Sequence, residues 1–279
     1  ELNHNGDVRT ALRMVESARQ CGADYIKFQC YVTENFIAPG SPLLPMFKSA
    51  ELSLPDYRLI ARKANEVGIS LIATAIDVEG LKIITALDLP IIKIDSTNIT
   101  NFSALREISQ TGKPVFLSTG ASTLGEIDRA LAILRQGTRD ITLFHCTVQY
   151  PADDANLNLR ALKTMASAFP DVAIGYSDHS KGTVAAVAAV ALGATVLEKH
   201  FTLDNNMPGP DHHFSSDPTA LSEYIAATRR LEQMLGDGRK MPTAVEELPR
   251  RRGRRYVTAM QDLAAGDILT AQSIRSRRV

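Results

Sequence analysis

A (β/α)8 barrel followed by a small β domain is the fold this sequence predicts, on three observations. Seven short apolar runs alternate with stretches of helical spacing, a polar cluster follows nearly every run, and the tail changes period after a linker rich in breakers. The runs are YIKF (25–28), LIAT (71–74), IIKI (91–94), VFLS (115–118), ITLF (141–144), VAIG (172–175) and TVLE (195–198). Between them apolar residues recur at helical intervals, as at Ile127, Ala130, Leu131 and Leu134, and at Val184, Val187, Ala188 and Ala191. Such alternation means parallel strands joined by crossover helices.

An eighth strand fits just before residue 1, with NHNG (3–6) as the loop that follows it. The rival arrangement, an open doubly wound sheet, would gather its polar clusters at one switch point. Residues 30–54 carry Pro39, Gly40, Pro42 and Pro45 and read as a long loop of the kind that serves as an active-site lid. The last barrel helix is expected at about 217–235. GDGRKMPTAVEELP then reads as a polar linker, and YVTAMQDLAAGDILTAQSIRSRRV alternates like β structure, with a Gly-Asp turn at 266–267. The expected division is a barrel domain over 1–236, a linker over 237–252 and a small, early-ending β domain over 253–279. The basic run RRRGRR (250–255) reads as a solvated hinge.

At 279 residues and 44% hydrophobic content the chain can bury a sizeable core. Its 31 basic residues balance 31 acidic ones, so no whole-molecule field draws in nucleic acid or an anionic membrane, and any anion site must be local. Cys21, Cys30 and Cys146 show no paired spacing, which argues against a disulfide framework or thiolate zinc site and for the cytoplasm. No apolar run approaches the roughly 20 residues of a membrane span. The chain opens on Glu1 rather than Met, within what looks like a strand-end motif, so a preceding segment is expected.

All six histidines lie in polar clusters at run ends: NHNG, FHC (144–146), YSDHS (176–180), EKHF (198–201) and PDHHF (210–214). Imidazoles aimed from successive strand ends toward one face can build a metal-assisted site. His179 and His200 follow adjacent strands, and two neutral imidazoles with open positions suit a divalent transition metal. Either alone would more simply bond loop backbone. Asp178 and Glu198 are candidate acceptors that orient the rings. Lys27, Lys93 and Lys199 end apolar runs, where burial of an ammonium is costly unless an anion offsets it. Ser96, Ser118, Thr119, Gly120 and Ser177 add hydroxyls and backbone amides at the same ends, as in a cradle for phosphate or carboxylate. Such a lysine can also form a Schiff base with a carbonyl substrate, which leaves a second mechanism open.

Read in order, NHNGD (3–7), KFQ (27–29), KID-S (93–96), STG (118–120), HC with YPA (145–152), GYSDHS (175–180), EKHFTLD (198–204) and GPDHHFS (209–215) resemble the sialic acid synthases, over essentially the whole chain. These include the N-acetylneuraminate, legionaminic and pseudaminic acid synthases. The resemblance implies a TIM barrel followed by a small antifreeze-like (SAF) domain, in a homodimer that places this domain over the partner's active site. It implies condensation of phosphoenolpyruvate with an N-acylated amino sugar, N-acetylmannosamine or a diacetamido-trideoxyhexose, with release of phosphate. His179 and His200 would hold the metal, manganese with magnesium or cobalt as substitutes. Lys27, Thr74, Lys93, Ser96, Ser118 and Ser177 match phosphoenolpyruvate contacts, with Lys27, Lys93 and the two histidines serving catalysis. Gln29, Tyr150 and Asp211 match positions near the sugar, and Arg278 matches an arginine reaching the N-acyl group from the other subunit.

The chain also departs from the family pattern. Glu1 precedes Asn3 by two residues, where the family has its glutamate four before the asparagine, and no role is carried to it. Asn98 stands where members often have an acid, and Val148 where they tend to place a polar residue. The sequence ends at Val279, where the family's small domain normally continues. An aldolase or lyase acting on a keto sugar acid, by metal or Schiff base, and an inactive paralogue acting as a binding subunit are the alternatives.

Overall fold

The computed structural model describes residues 2–278, so Glu1, Val279 and the strand expected before residue 1 lie outside the described residues. Seven parallel strands form one sheet in sequence order: β1 (Tyr25–Cys30), β2 (Ser70–Ala75), β3 (Ile92–Ile94), β4 (Val115–Ser118), β5 (Ile141–Cys146), β6 (Ala173–Asp178) and β7 (Val196–Lys199). Every apolar run of the sequence is a strand. The sheet is curled, so that Lys27 of β1 and Glu198 of β7, on its two outermost strands, form an ion pair at 2.5 Å. Asn3 bridges the same gap, its Nδ2 donating to the Phe201 carbonyl at 2.8 Å and to Ser215 Oγ at 2.9 Å.

Local chemistry explains the helices between the strands. Asp7 caps Val8–Gln20 by accepting from the Arg9 amide, and Asp77 caps Val78–Ala86 from the Gly80 amide at 2.6 Å. Ser53 with Asp56, and Thr123 with Glu126, form reciprocal capping boxes on Leu54–Val67 and Leu124–Leu134. Gly68, at φ +73°, ends the first of these in the left-handed conformation that glycine adopts without strain.

The period-two pleat divides each strand between two environments. Ile26, Phe28, Ala73, Ile92, Ile94, Val115, Leu117, Leu143, Ile174 and Tyr176 pack with the helices in one core. Residues of the opposite parity face the sheet's hollow. Phe116 and Phe144 meet there, with ring centroids 5.2 Å apart, and Lys93 lies over the Phe144 ring at 5.3 Å. Gly175 makes room for that floor, since a Cβ there would approach the Phe144 ring to 2.9 Å.

The segment 31–53 is not the open loop expected. It carries helices Thr33–Phe36 and Leu44–Ser49, and Tyr31, Phe36 and Phe47 pack edge to face with centroids 5.1 to 5.9 Å apart. Alternating breakers hid an aromatic satellite core.

His4 is buried in the same region, tilted against Phe28 at 5.7 Å, with Nδ1 accepting from the Gly6 amide. Burial pushes its pKa down to about 3 from 6.5. The unfolded chain therefore binds a proton that the folded chain refuses between those values. Stability is full above pH 6.5 and falls as pH drops toward 3, by up to about 1.4 kcal/mol per unit from this group. Urea unfolding from pH 4 to 6.5 should show a steeper rise of stability with pH in the wild type than in His4→Gln, and equal slopes would contradict the assignment.

The chain divides into two compact units, Glu1–Met234 and Leu235–Val279. The second holds helix Glu247–Gly253 and an antiparallel pair, β8 (Arg255–Ala259) with β9 (Ile274–Arg278). Arg250, Arg251 and Arg252 are the last turn of that helix, not a hinge, where cations complement the helix dipole. No helix among the described residues is long and apolar enough to cross a membrane.

Candidate active site

One cleft opens at the carboxyl ends of the parallel strands, lined by Lys27, Gln29, Lys93, Asp95, Ser96, Thr97, Ser118, Cys146, Val148, Tyr150, Ser177, His179, Glu198, His200 and Asp211. Its strand-borne members share one parity, so the pleat that aims Ile92 and Ile94 at the helices aims Lys93 into the hollow. The structure thus brings together ten of the residues singled out from the sequence: Lys27, Gln29, Lys93, Ser96, Ser118, Tyr150, Ser177, His179, His200 and Asp211. Thr74 is not among the lining residues. It shares the register of Gln29 and Lys93 but is fully buried. Arg278 is exposed at the end of β9 in the second unit, opposite Arg255.

The imidazoles of His179 and His200 stand edge to face with centroids 5.2 Å apart. Tyr150 covers them at 4.3 and 5.6 Å, and Phe214 lies 5.0 Å from His200. His179 Nδ1 lies 2.6 Å from the Thr147 carbonyl, so that nitrogen carries the proton and donates it. Nε2 lies 3.4 Å from Ser177 Oγ and, in the neutral ring, is the nitrogen with the lone pair. A ring fixed in this tautomer by backbone, beside a second ring, fits a divalent ion. Among the described residues no group of three His, Cys, Asp or Glu is arranged to hold a metal, so the two rings would share the ion with water or substrate.

The residues expected to form an anion cradle lie in the same cleft. Glu198 pairs with Lys27 at 2.5 Å and with Lys93 at 3.5 Å. Lys93 is buried, donates to the Ile94 carbonyl at 3.0 Å and bonds Ser118 Oγ. Ser96 Oγ accepts from the Gly120 amide at 2.9 Å and lies 3.2 Å from Cys146 Sγ. A Cβ on Gly120 would come within 2.5 Å of Val148 and 2.8 Å of both Ser96 Oγ and Cys146 Sγ. Only glycine lets this backbone N–H reach the serine.

Several expectations give way to the pleat. Lys199 faces the helix layer rather than the cradle, where it pairs with fully buried Asp178 at 3.1 Å and lies over the Tyr224 ring. Burial lowers its pKa, and Asp178 opposes that shift. Asp178 therefore holds Lys199 and Ser180, not a histidine ring, and Glu198 holds the two cleft lysines. Four histidines are structural or exposed. His145 bonds the Leu157 carbonyl, His212 bonds Thr202 Oγ1 at 2.6 Å, His4 is buried as described, and His213 is exposed. Asp95 is the charged cleft residue the sequence reading missed, two residues from Lys93, whereas Glu198, named from the sequence, is in the cleft and holds the two lysines.

A parallel sheet curled on itself, with charged side chains converging at the carboxyl ends of its strands, defines the class of barrel enzymes. Within that class the sequence matches the NeuB family over residues 14–240. It is 43% identical over 278 residues to an uncharacterised protein of Methanocaldococcus jannaschii, covering 99% of this chain and 82% of that one. It is 36% identical to the N,N'-diacetyllegionaminic acid synthase of Campylobacter jejuni, covering 99% of this chain and 88% of the relative. The crystal structure of the sialic acid synthetase of Leptospira borgpetersenii with citrate superposes with a TM-score of 0.85 at 34% identity, covering 89% of this chain and 87% of that one. The chain belongs to the NeuB family, the sialic acid synthases.

Proposed function

We propose that this enzyme is a transferase that condenses phosphoenolpyruvate with an N-acylated hexosamine, N-acetylmannosamine or a diacetamido-trideoxyhexose, to give a nonulosonic acid and phosphate. The observation that carries this is Glu198, a carboxylate seated between Lys27 and Lys93 beside the imidazole pair. Two lysines gathered about one carboxylate can exchange it for the carboxylate or phosphate of a ligand, with Glu198 giving way.

Lys27 and Lys93 neutralise the bound anion, and Ser96, Ser118 and Ser177 donate to its oxygens. Gln29, Tyr150 and Asp211 border the space left for the sugar. His179 and His200 would hold a divalent metal, manganese by family resemblance with magnesium or cobalt as substitutes, and such an ion supplies Lewis acidity to the open-chain aldehyde. The C2–C3 electron pair of phosphoenolpyruvate forms the bond to sugar C1, and the carbonyl oxygen takes the displaced pair. Water adds to the cation left at C2, and the C2–O bond to phosphate then breaks with its electrons leaving on phosphate.

The second unit is an antifreeze-like domain that covers the partner's cleft in a homodimer, with Arg278 reaching the N-acyl group in trans. Buried free cysteines suit the cytoplasm as the compartment. Incubation with phosphoenolpyruvate, manganese and a panel of these sugars should release inorganic phosphate only when a sugar is present. Formation of pyruvate from a keto sugar acid supplied in place of phosphoenolpyruvate, with no phosphate released, or a lysine adduct trapped by borohydride in that reaction, would instead indicate a lyase.

A further inference from the structure

Asp95 raises a question that anion binding cannot answer. Asp95 is among the residues that line the cleft, and in sequence it stands between Lys93 and Ser96, the residues proposed to receive phosphoenolpyruvate. A negative charge beside an anion cradle opposes binding. Yet the fold fixes it there: Oδ1 accepts from Asn98 Nδ2 at 2.7 Å and Oδ2 from Thr97 Oγ1 at 2.5 Å. Each oxygen keeps capacity for one further hydrogen bond, such as one from a water in the cleft.

Asn98 is occupied in holding this carboxylate. The same amide donates toward the Ile76 carbonyl at 3.4 Å, and its oxygen accepts from Asn101 at 3.1 Å. Asn98 does not line the cleft. It ties the end of β2 to the end of β3 and holds half-buried Asp95 at the border of the cleft. Other titratable groups in the cleft have work: Lys27, Glu198 and Lys93 are ion-paired, the imidazoles are assigned to the metal, and Asp211 borders the sugar.

We propose that Asp95 is the proton acceptor for the water that adds to C2 of phosphoenolpyruvate, and that Asn98 is the residue that positions it. In this step the water oxygen forms its bond to C2 while one O–H bond breaks, its electron pair stays on oxygen, and the proton passes to an Asp95 oxygen. That proton is returned to the alkoxide on the former aldehyde, so the carboxylate is regenerated. The inference rests on the synthase reading.

The test uses whichever sugar of the panel the wild type turns over. Asp95→Asn is expected to lower kcat about a hundredfold or more, the range of a lost general base. Phosphoenolpyruvate affinity, measured by calorimetry, should stay within about threefold or tighten, because a repelling charge is gone. Added formate should restore part of the turnover of Asp95→Ala, which a structural role would not allow. Asn98→Ala should lower kcat with little change in phosphoenolpyruvate affinity. Turnover of Asp95→Asn within threefold of wild type, or a loss that lies wholly in phosphoenolpyruvate binding, would overturn the assignment while leaving the synthase reading intact. A wild type that neither binds phosphoenolpyruvate nor releases phosphate would overturn both.

Discussion

Replacing His179 by alanine is expected to lower sugar-dependent phosphate release about a thousandfold or more. That corresponds to roughly 4 kcal/mol of transition-state stabilisation, the scale on which a bound cation stabilises a developing alkoxide. The change removes one of two imidazoles whose rings stand 5.2 Å apart, and the ring whose Nδ1 is committed to the Thr147 carbonyl. Manganese affinity should fall in parallel, and phosphoenolpyruvate affinity should stay within a few-fold, because the proposed cradle is built on Lys27 and Lys93. His179→Gln keeps a polar side chain against Thr147 and should be nearly as impaired, which separates ring chemistry from local packing. Substantial turnover by His179→Ala would remove the two imidazoles from the mechanism.

Lys93→Met should act on the other half of the cleft. Methionine preserves the apolar stem over Phe144 and removes the ammonium that Glu198, Ser118 and the Ile94 carbonyl surround. A charge-assisted contact of about 1.5 to 3 kcal/mol would be lost, so phosphoenolpyruvate should bind roughly ten- to a hundredfold more weakly. Manganese binding should be unaffected. Lys93→Arg restores the charge but not the fit between β3 and β4, and recovery should be partial. Unchanged phosphoenolpyruvate affinity in Lys93→Met would show that the anion lies elsewhere.

The strands were legible because β-branched and apolar residues crowd into runs bounded by polar clusters, and all seven runs are strands. The cleft was legible for the same reason, since many of the polar residues at run ends line it at the carboxyl ends of the strands. Facing was harder to read. Lys93 and Lys199 both end apolar runs, yet opposite parity sends one over Phe144 in the hollow and the other to Tyr224 under the helix layer. Asp178 and Glu198 were separated in the same way. The histidines show the limit of cluster counting: His145 and His212 satisfy loop backbone and a threonine hydroxyl, contacts that no spacing announces. Segment 31–53 concealed its aromatic packing among prolines and glycines, because three rings far apart in sequence carry no period.

Asp95 was within reach, two residues from Lys93, but only hydrogen bonds distinguish a carboxylate presented to a cleft from one that merely caps a turn. Asn98 likewise looks like a lost acid in the sequence and like a support for one in the structure.

Diffraction from crystals soaked with manganese and phosphoenolpyruvate, recorded at the manganese edge, tests the central claim most directly. The account predicts an anomalous peak between the imidazoles of His179 and His200, and phosphoenolpyruvate against Lys27 and Lys93, with Glu198 giving way to it. Manganese bound away from both rings, or phosphoenolpyruvate bound away from both lysines, would contradict it.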